Sequence, residues 1–233
     1  MTNPVTKPVL FCWSGGKDSC MALHELRRDP LREVVALLTT VTEGYDRISM
    51  HGVRRILLER QATALGLPLE IVTIPPKCVN TEYESRMEAM LLTWKNRGVT
   101  EVAFGDIFLQ DLREYREKNL ARVGMNATFP VWLRPTRELV REFIALGFRA
   151  VTVCVDPKIL DASYVGREID EEFVAALPPE ADPCGENGEF HSFVYDGPGF
   201  SAPVELTVGE KVLRDGFYFC DLLPAEIGTK SPR

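Results

Sequence analysis

The sequence has little of what marks secreted, membrane-spanning or nucleic-acid-binding proteins. It contains no apolar run near the roughly 20 residues that cross a bilayer, and its first residues do not form a signal peptide. Six cysteines lie far apart without a CxxC pair, which argues against a disulfide framework. Lys and Arg total 27 against 34 Asp and Glu, and this net charge of -7 disfavours nucleic-acid binding. We therefore expect a cytoplasmic protein without a membrane partner.

The composition is that of a globular protein, and its length of 233 residues suits one large domain or two small ones. Up to residue 155, short apolar runs alternate with longer amphipathic segments. This pattern predicts an α/β fold in which a parallel sheet has helices on both faces. We predict strands at residues 9–13, 34–42, 69–74, 99–104, 131–133 and 150–155, and helices at 17–28, 51–65, 81–96, 112–123 and 136–146.

The pattern changes after about residue 157. A predicted helix at 166–177 leads through two prolines into strand-like segments at 190–195, 204–208 and 217–222. These features predict a smaller C-terminal α+β portion. We place an N-terminal nucleotide-binding domain at 1–134, a C-terminal substrate-binding domain at 135–223 and a flexible tail at 224–233.

The strongest chemical signal is the hexapeptide SGGKDS at residues 14–19, between the first strand and the first helix. Its glycines allow a ligand to approach the backbone, and the helix N-terminus attracts anions. Asp18 would repel a phosphate unless a cation such as Mg²⁺ lay between them. The hexapeptide is not a Walker A loop, because Asp18 follows Lys17 where that motif has Ser or Thr. The alternative is an ordinary strand-to-helix turn capped by Ser14 or Asp18.

Two other predicted strands end in polar or small residues. Thr39 and Thr40 end the second strand, and Gly105 and Asp106 follow the fourth. Because ligands collect beyond the carboxyl ends of parallel strands, these residues should lie on the same edge as the hexapeptide. Asp106 could share a metal ion with Asp18, or it could simply cap a turn.

Three basic side chains near this edge are further candidates. His51 opens the second predicted helix just after the second strand and its loop, although a lone histidine is more often structural. Arg113 and Arg116 share a helical face, where they could clamp a phosphate or a carboxylate. The alternative is a solvated charged face in which Glu114 pairs with Lys118.

The segment at residues 182–192 is too polar for a plain strand. Its Asn187-Gly188 pair is typical of a surface hairpin tip, which is the alternative to a functional role. The spacing of its cysteine, glutamates and histidine matches no standard zinc site. In the functional interpretation, Glu186, Glu189 and His191 face the nucleotide site, where they orient an amine or accept its proton.

The hexapeptide after a buried first strand is similar to the pyrophosphate-binding loop of the PP-loop ATP pyrophosphatase superfamily. Together with GDIFLQDLREYR (105–116) and the GENGEF…VYDGP stretch (185–198), it resembles the diphthine–ammonia ligase family over residues 9–198. This resemblance implies a HUP-like (adenine nucleotide α hydrolase-like) sheet, ATP and Mg²⁺ as cofactors, and adenine near Thr39 and Thr40. Those ligases use ATP and ammonium to amidate a modified histidine on elongation factor 2.

The chain departs from the ligase pattern Glu-Gly-Gly-Glu-Phe/Tyr-Glu-Thr within residues 186–192. Asn187 replaces a glycine, and His191 replaces an acidic residue. In this respect it resembles a sister branch of the family that has been linked to amide formation in cobalamin metabolism. The resemblance thus implies the same activation of a carboxylate by ATP, with a different substrate.

We therefore expect an AMP-forming ligase that adenylates a carboxylate and amidates it with ammonia or an amine. The alternatives are a PP-loop tRNA-modifying enzyme, which the acidic charge disfavours, and a nucleotide-binding sensor that does not cleave ATP. A homodimer is compatible with the sequence. The predicted catalytic residues are Lys17, Asp18, Arg116, Glu186, Glu189 and His191; the predicted nucleotide ligands are Ser14, Gly15, Gly16, Lys17, Asp18, Ser19, Thr39, Thr40, His51 and Gly105; and the predicted metal ligands are Asp18 and Asp106.

Overall fold

A computed structural model of the chain describes residues 6–48 and 52–225. Within these two segments the chain forms strands and helices that alternate until residue 155. The strands are β1 (Lys7–Cys12), β2 (Arg32–Thr42), β3 (Arg47–Ile48), β4 (Leu69–Ile74), β5 (Glu101–Ala103), β6 (Asn126–Thr128), β7 (Arg149–Val155), β8 (Phe190–Asp196), β9 (Leu206–Arg214) and β10 (Phe217–Pro224). The helices are α1 (Lys17–Arg27), α2 (Arg55–Leu65), α3 (Asn80–Asn96), α4 (Gln110–Arg122), α5 (Thr136–Ala145) and α6 (Glu171–Ala176).

The first sheet is parallel except for one short strand. Its parallel strands lie in the order β4-β2-β1-β5-β6, and β3 pairs antiparallel with the end of β2. The chain moves from β1 through β2 to β4 on one side and then returns to place β5 and β6 on the other. The ends of β1 and β5 therefore border the switch point where such sheets bind ligands.

Alternate residues of β1 face two separate apolar cores. Val9 and Phe11 pack with residues of α1, α2 and α5, whereas Leu10 packs with residues of α3 and α4. A strand covered on both faces needs a continuous apolar run, which explains its sequence. The predicted α/β class is confirmed, including the HUP-like sheet with helices on both faces. Among the described residues, no helix has the length and apolar character to span a membrane.

The second sheet is antiparallel, in the order β8-β7-β10-β9. It shares an apolar core with the first sheet, since Val151 and Phe193 cluster with Phe11. The prediction that residues 150–155 extend the parallel sheet is wrong, because β7 pairs antiparallel with both β8 and β10. A strand buried on both faces has the same apolar run in either kind of sheet, so the sequence could not distinguish them.

Three other predicted elements differ from the structure. Residues 131–133 form a turn, in which Leu133 has a φ of 56°, and β6 is the outer strand instead. The helix predicted at 166–177 is reduced to α6, because Asp170 accepts a hydrogen bond from Phe173 N at 2.7 Å and caps a later start. The helix predicted from residue 51 begins at Arg55, and His51 lies outside the described residues.

Asp221 of β10 ties the second sheet to the hairpin of β3. Its carboxylate lies 2.9 Å from Arg47 Nη1 and 2.7 Å from Arg54 Nη2. Hydrogen bonds from Arg54 lower the pKa of Asp221 to about 2; partial burial opposes this shift, and Arg47 adds to it. The ionised carboxylate therefore stabilises the contact between the two parts of the chain.

We expect Asp221→Asn to lower the free energy of unfolding near neutral pH by about 1–2 kcal/mol, discounted for solvent screening. Because the folded-state pKa is depressed, this stabilisation is complete above the ordinary aspartate pKa and is lost as the pH falls towards 2. Urea unfolding of both proteins from neutral to acid pH measures the difference. Asp215→Asn, on the exposed tip of the hairpin formed by β9 and β10, is the control. A difference that does not shrink in acid would contradict the assignment.

Candidate functional site

A cavity of ≈ 590 Å³ lies where the ends of β1 and β5 face the second sheet. A smaller cavity of ≈ 190 Å³ near the end of β2 shares Cys12, Ser14 and Arg116 with it. Thr39 and Thr40 lie within β2, which continues to Thr42, so they do not end the strand as predicted. The structure thus brings together most of the side chains that the sequence singled out. The predicted residues that line the larger cavity are Ser14, Gly16, Lys17, Asp18, Ser19, Gly105, Asp106, Arg116, Glu186 and His191, and Thr39 and Thr40 line the smaller one.

The hexapeptide forms a tight turn closed by its own hydroxyl groups. The Oγ atoms of Ser14 and Ser19 lie 2.8 Å apart, and Ser14 Oγ accepts a hydrogen bond from Gly16 N at 3.2 Å. Gly15 has a φ of 77°, and a Cβ there would lie 2.8 Å from Leu58 Cδ1. Both the backbone angle and the lack of space thus require glycine at this position. Helix α1 begins at Lys17, and its N-cap residue, Gly16, has no side-chain capping bond. The interpretation as an ordinary capped turn therefore gains no support.

Gln61 of α2 holds this turn against the second sheet, and nothing in the sequence had singled it out. Its buried amide accepts from Trp13 Nε1 at 2.7 Å and donates to the carbonyl oxygens of Gly15 at 3.0 Å and Val194 at 2.6 Å. Val194 N in turn donates to Gly15 O at 2.9 Å. One side chain thereby joins Trp13, which follows β1, to the glycine turn and β8.

Gln61→Leu should lower the free energy of unfolding by about 2–4 kcal/mol, because it removes three buried hydrogen bonds and takes the partner from Trp13 Nε1. It should also weaken binding of the nucleotide that the family resemblance implies, since the turn loses its support. Denaturant unfolding and nucleotide titration measure the two effects. Gln110→Leu, which removes an exposed amide of α4, is the control. Full stability together with unchanged nucleotide affinity would show that Gln61 does not support the turn.

Lys17 and Asp18 form an ion pair at the first turn of α1. Lys17 Nζ lies 2.8 Å from Asp18 Oδ2 and 3.0 Å from Oδ1, and it also donates to the carbonyl oxygen of Cys184. The Lys17 side chain is only 3% exposed. Burial is the largest single influence and opposes its charge, but Asp18, Cys184 and Glu186 together outweigh burial and raise the pKa of the ammonium. A permanent positive charge is therefore present at the base of the cavity.

Asp106 and Arg116 form a second ion pair beside the end of β5. Asp106 Oδ2 lies 2.8 Å from Arg116 Nε, and Oδ1 accepts from Arg116 Nη2 at 3.1 Å. Gly105 packs so closely against α1 that a Cβ at this position would lie 2.9 Å from Ser19 N. Gly105 therefore has a structural reason to be glycine, in addition to its place in the cavity wall.

The predicted pair of arginines separates in the structure. Arg113 does not line either cavity; its guanidinium lies over the rings of Phe129 and Trp132 at 5.0 and 4.7 Å. It also pairs with Glu117 at 2.8 Å. Of the two, only Arg116 is placed to meet a ligand.

Glu186 reaches into the cavity from the loop before β8. Its Oε1 accepts from Ile107 N at 2.7 Å, which fixes the carboxyl beside the end of β5. Burial raises its pKa to about 7, with further upward contributions from Asp18 and Asp106. A carboxyl group with this pKa can both accept and release a proton near neutral pH.

His191 and Glu189 have different environments from Glu186. Burial and the charge of Lys17 lower the pKa of His191 to about 4, so its ring is neutral near pH 7. Glu189 is buried within its own loop, where it accepts from Asp182 N at 2.9 Å and from Asn187 N at 3.0 Å. Its carboxyl does not line the cavity. This placement corrects our expectation that Glu189 faces the nucleotide site: it braces the loop that carries Glu186.

The structure adds two groups that we had not assigned to the site. The Oγ of Ser192, which is buried, accepts from Lys17 N at 3.2 Å. The carbonyl of Cys184 accepts from Lys17 Nζ. Both residues lie in the polar segment at 182–192, and its composition was the sequence signal that could have identified them. Burial raises the pKa of the Cys12 thiol, which lines both cavities, to about 12, so it is not a ready nucleophile.

The acidic groups suit an ion that arrives with a nucleotide better than a resident metal. Among residues 6–48 and 52–225, no group of three or more His, Cys, Asp or Glu side chains could hold a metal ion. Mg²⁺ in nucleotide sites needs only one or two carboxylates, because phosphates and water complete its shell. Asp18 and Asp106 both line the cavity and meet this requirement.

The fold and this cavity define a class first: α/β proteins with a ligand site at the switch point of a parallel sheet, covered by a smaller antiparallel domain. Comparison with family models then gives the family. The diphthamide synthase N-terminal domain matches residues 7–127, and the diphthamide synthase C-terminal domain matches residues 135–223. The chain therefore belongs to the diphthamide synthase family, which confirms its resemblance to the diphthine–ammonia ligases.

Several relatives of the chain are named diphthine–ammonia ligase. The chain is 26% identical over 228 residues to the diphthine–ammonia ligase of Rattus norvegicus, covering 88% of this chain and 85% of the relative. It is 25% identical over 229 residues to that of Homo sapiens, with the same coverage. The ligase of Schizosaccharomyces pombe is 27% identical over 235 residues, which are 92% of this chain but 38% of the relative. These matches support a ligase family, and the name of the relatives gives diphthine and ammonia as the substrates of those proteins.

Proposed function

We propose that this protein is an AMP-forming ligase that adenylates a carboxylate and then amidates it with ammonia or an amine. The observation that carries the proposal is the shared cavity: the glycine turn, the Lys17–Asp18 pair and Glu186 all line it. The turn suits an anion, and the carboxyl suits proton transfer. The names of the relatives support a ligase.

In the proposed first step, a carboxylate oxygen of the substrate attacks the α-phosphorus of ATP, and the bond to the β-phosphate breaks. Backbone N–H groups and hydroxyls of residues 14–19 stabilise the departing pyrophosphate, and Lys17 and Arg116 neutralise its charge. The smaller cavity beside Thr39 and Thr40 suits the adenine. Bound Mg²⁺, held by Asp18 and Asp106, would supply further charge stabilisation. His51 stays a predicted nucleotide ligand.

In the proposed second step, the nitrogen of ammonia or an amine attacks the acyl carbon, and AMP leaves. Ammonium is nucleophilic only after it loses a proton. Glu186 is the proposed acceptor, because burial raises its pKa to about 7 while the ring of His191 is neutral and only weakly basic. His191 is proposed to orient the incoming nitrogen rather than to carry the proton.

Several finer assignments belong to the same proposal. The acceptor need not be that of the relatives, because Asn187 and His191 depart from the ligase pattern. Domain boundaries near residue 134, a homodimer and a cytoplasmic location stay predictions. A tRNA-modifying enzyme and a nucleotide sensor are the competing functions.

The test is release of pyrophosphate and AMP from Mg·ATP with ammonium. The reaction is run with and without a panel of carboxylates that includes cobinamide-pathway acids and elongation factor 2 bearing diphthine. Pyrophosphate and AMP that require one carboxylate and disappear in Asp18→Ala would support the ligase. The control is Asp111→Ala, an exposed carboxylate on α4. Release of ADP and phosphate would overturn adenylation, and ATP binding without cleavage would favour a sensor.

A further inference from the structure

Both arginines of the predicted clamp lie over aromatic rings at the ends of two neighbouring strands. Phe104 follows β5 and Phe129 follows β6, and these strands pair in parallel with Ala103 beside Thr128. The two rings therefore meet, with 5.5 Å between their centroids and 23° between their planes. The guanidinium carbon of Arg116 lies 4.4 Å from the centre of the Phe104 ring.

Further contacts hold the Phe129 ring. The Trp132 ring lies 5.5 Å from it, and the guanidinium of Arg113 lies over both rings. Arg113 is in turn paired with Glu117. Phe129 is therefore the central member of a cluster in which each ring or guanidinium group restricts its neighbours. This ring cluster consists of Phe104, Arg113, Arg116, Phe129 and Trp132.

Only one side of the ring cluster reaches the ligand site. Arg116 and Phe104 line the larger cavity, whereas Phe129, Trp132 and Arg113 line neither of the two cavities in the described part of the chain. Phe104 is also buried. An effect of Phe129 on a ligand in the larger cavity would therefore pass through Phe104 and Arg116.

The Phe104 ring restricts Arg116 in a way that Asp106 cannot. Asp106 holds one edge of the guanidinium, but it also neutralises the charge. The face of a ring attracts a cation without supplying a full counter-charge, so it restricts the guanidinium and leaves its charge available. Because a flexible arginine loses rotamer freedom on binding, a guanidinium that is fixed in advance binds a phosphate more tightly.

We propose that Phe129 is a positioning residue for Arg116. It supports the Phe104 ring, which in turn fixes the guanidinium for contact with a phosphate in the larger cavity. This inference rests on the proposed function, which assigns Arg116 to the phosphates of ATP, and it adds a residue outside the cavity to the binding of that group. It also gives Arg113 a reason to share a helical face with Arg116, because Arg113 holds the Phe129 ring.

The test is a binding experiment that needs no turnover. Isothermal titration of the full chain uses Mg²⁺ with α,β-methylene-ATP, which cannot be cleaved at the required bond. Phe129→Leu should weaken binding of this nucleotide by about three- to tenfold, because Phe104 and Arg116 lose their support. Phe129→Tyr retains the ring and should keep the wild-type affinity. Phe200→Leu removes a partly buried ring that lines neither cavity, and it is the matched control.

A double-mutant cycle shows whether Phe129 acts through Arg116. In an Arg116→Gln background, Phe129→Leu should cause no further loss of affinity; denaturant unfolding confirms that each variant is folded. An equal loss in both backgrounds, an equal loss in Phe129→Tyr, unchanged affinity in Phe129→Leu, or no nucleotide binding by the wild type would overturn the proposal. The expected cycle without pyrophosphate release from any carboxylate would support the positioning role and remove the ligase assignment alone.

Discussion

Glu186→Gln should reduce the rate of amide formation by about 10²–10⁴-fold, the usual contribution of a general acid or base. The amide cannot accept a proton, but its oxygen can still accept the hydrogen bond from Ile107 N that fixes the side chain. The variant therefore removes the proton transfer and retains the geometry. Single-turnover measurement of amide formation, with pyrophosphate release followed separately, would place the loss in the second step.

The pH dependence should identify the same group. Burial raises the pKa of Glu186 to about 7, so the wild-type rate should rise with pH as the carboxylate forms. The rate of the Glu186→Gln variant should not show this rise. The stability of the fold should change with pH in the opposite direction. Because the folded-state pKa is raised, the free energy of unfolding should fall as the pH rises from the ordinary glutamate pKa to about 7. The variant should therefore be at least as stable as the wild type at pH 8.

A matched control separates these effects from a general loss of charge. Glu114→Gln removes an exposed carboxylate of α4 and should change neither the rate nor its pH dependence. If Glu186→Gln kept the full rate and the same rise of the rate with pH, another group would carry the proton. His191 would then be the next candidate to test.

Local sequence signals predicted the part of the site that depends on the backbone. The glycine turn follows a buried strand, and the polar ends of β2 and β5 follow from where apolar runs stop. Parallel strands then bring these ends to one edge, which is why Ser14, Thr39 and Asp106 meet around the two cavities. Here, short-range pattern and topology were sufficient.

Side-chain direction within a loop was not predictable in the same way. Glu186 and Glu189 lie three residues apart in one polar segment, yet the first lines the cavity and the second bonds to the backbone of its own loop. The backbone N–H of Ile107, which holds Glu186, is 79 residues away in the chain. Gln61 is similar, because its partners Trp13 and Val194 become neighbours only after both sheets have formed.

Lys17→Met should reduce pyrophosphate release by about 10²–10³-fold if its ammonium stabilises charge on the leaving pyrophosphate. The single variant also leaves the partly buried Asp18 without its cation, which should cost about 1–3 kcal/mol of stability. Loss of activity alone would therefore not distinguish a catalytic charge from a structural one.

The double variant Lys17→Met with Asp18→Asn resolves this ambiguity, because it removes both charges and keeps the side-chain volumes nearly constant. Denaturant unfolding should show that it regains most of the stability lost in Lys17→Met. If pyrophosphate release stays low in the stable double variant, the ammonium acts on the phosphates. If the rate recovers with the stability, Lys17 serves only to neutralise Asp18, and Arg116 becomes the remaining cation that lines the described part of the cavity. The Lys17–Asp18 pair at 2.8 Å thus makes charge on the leaving group and charge balance within the fold separately measurable.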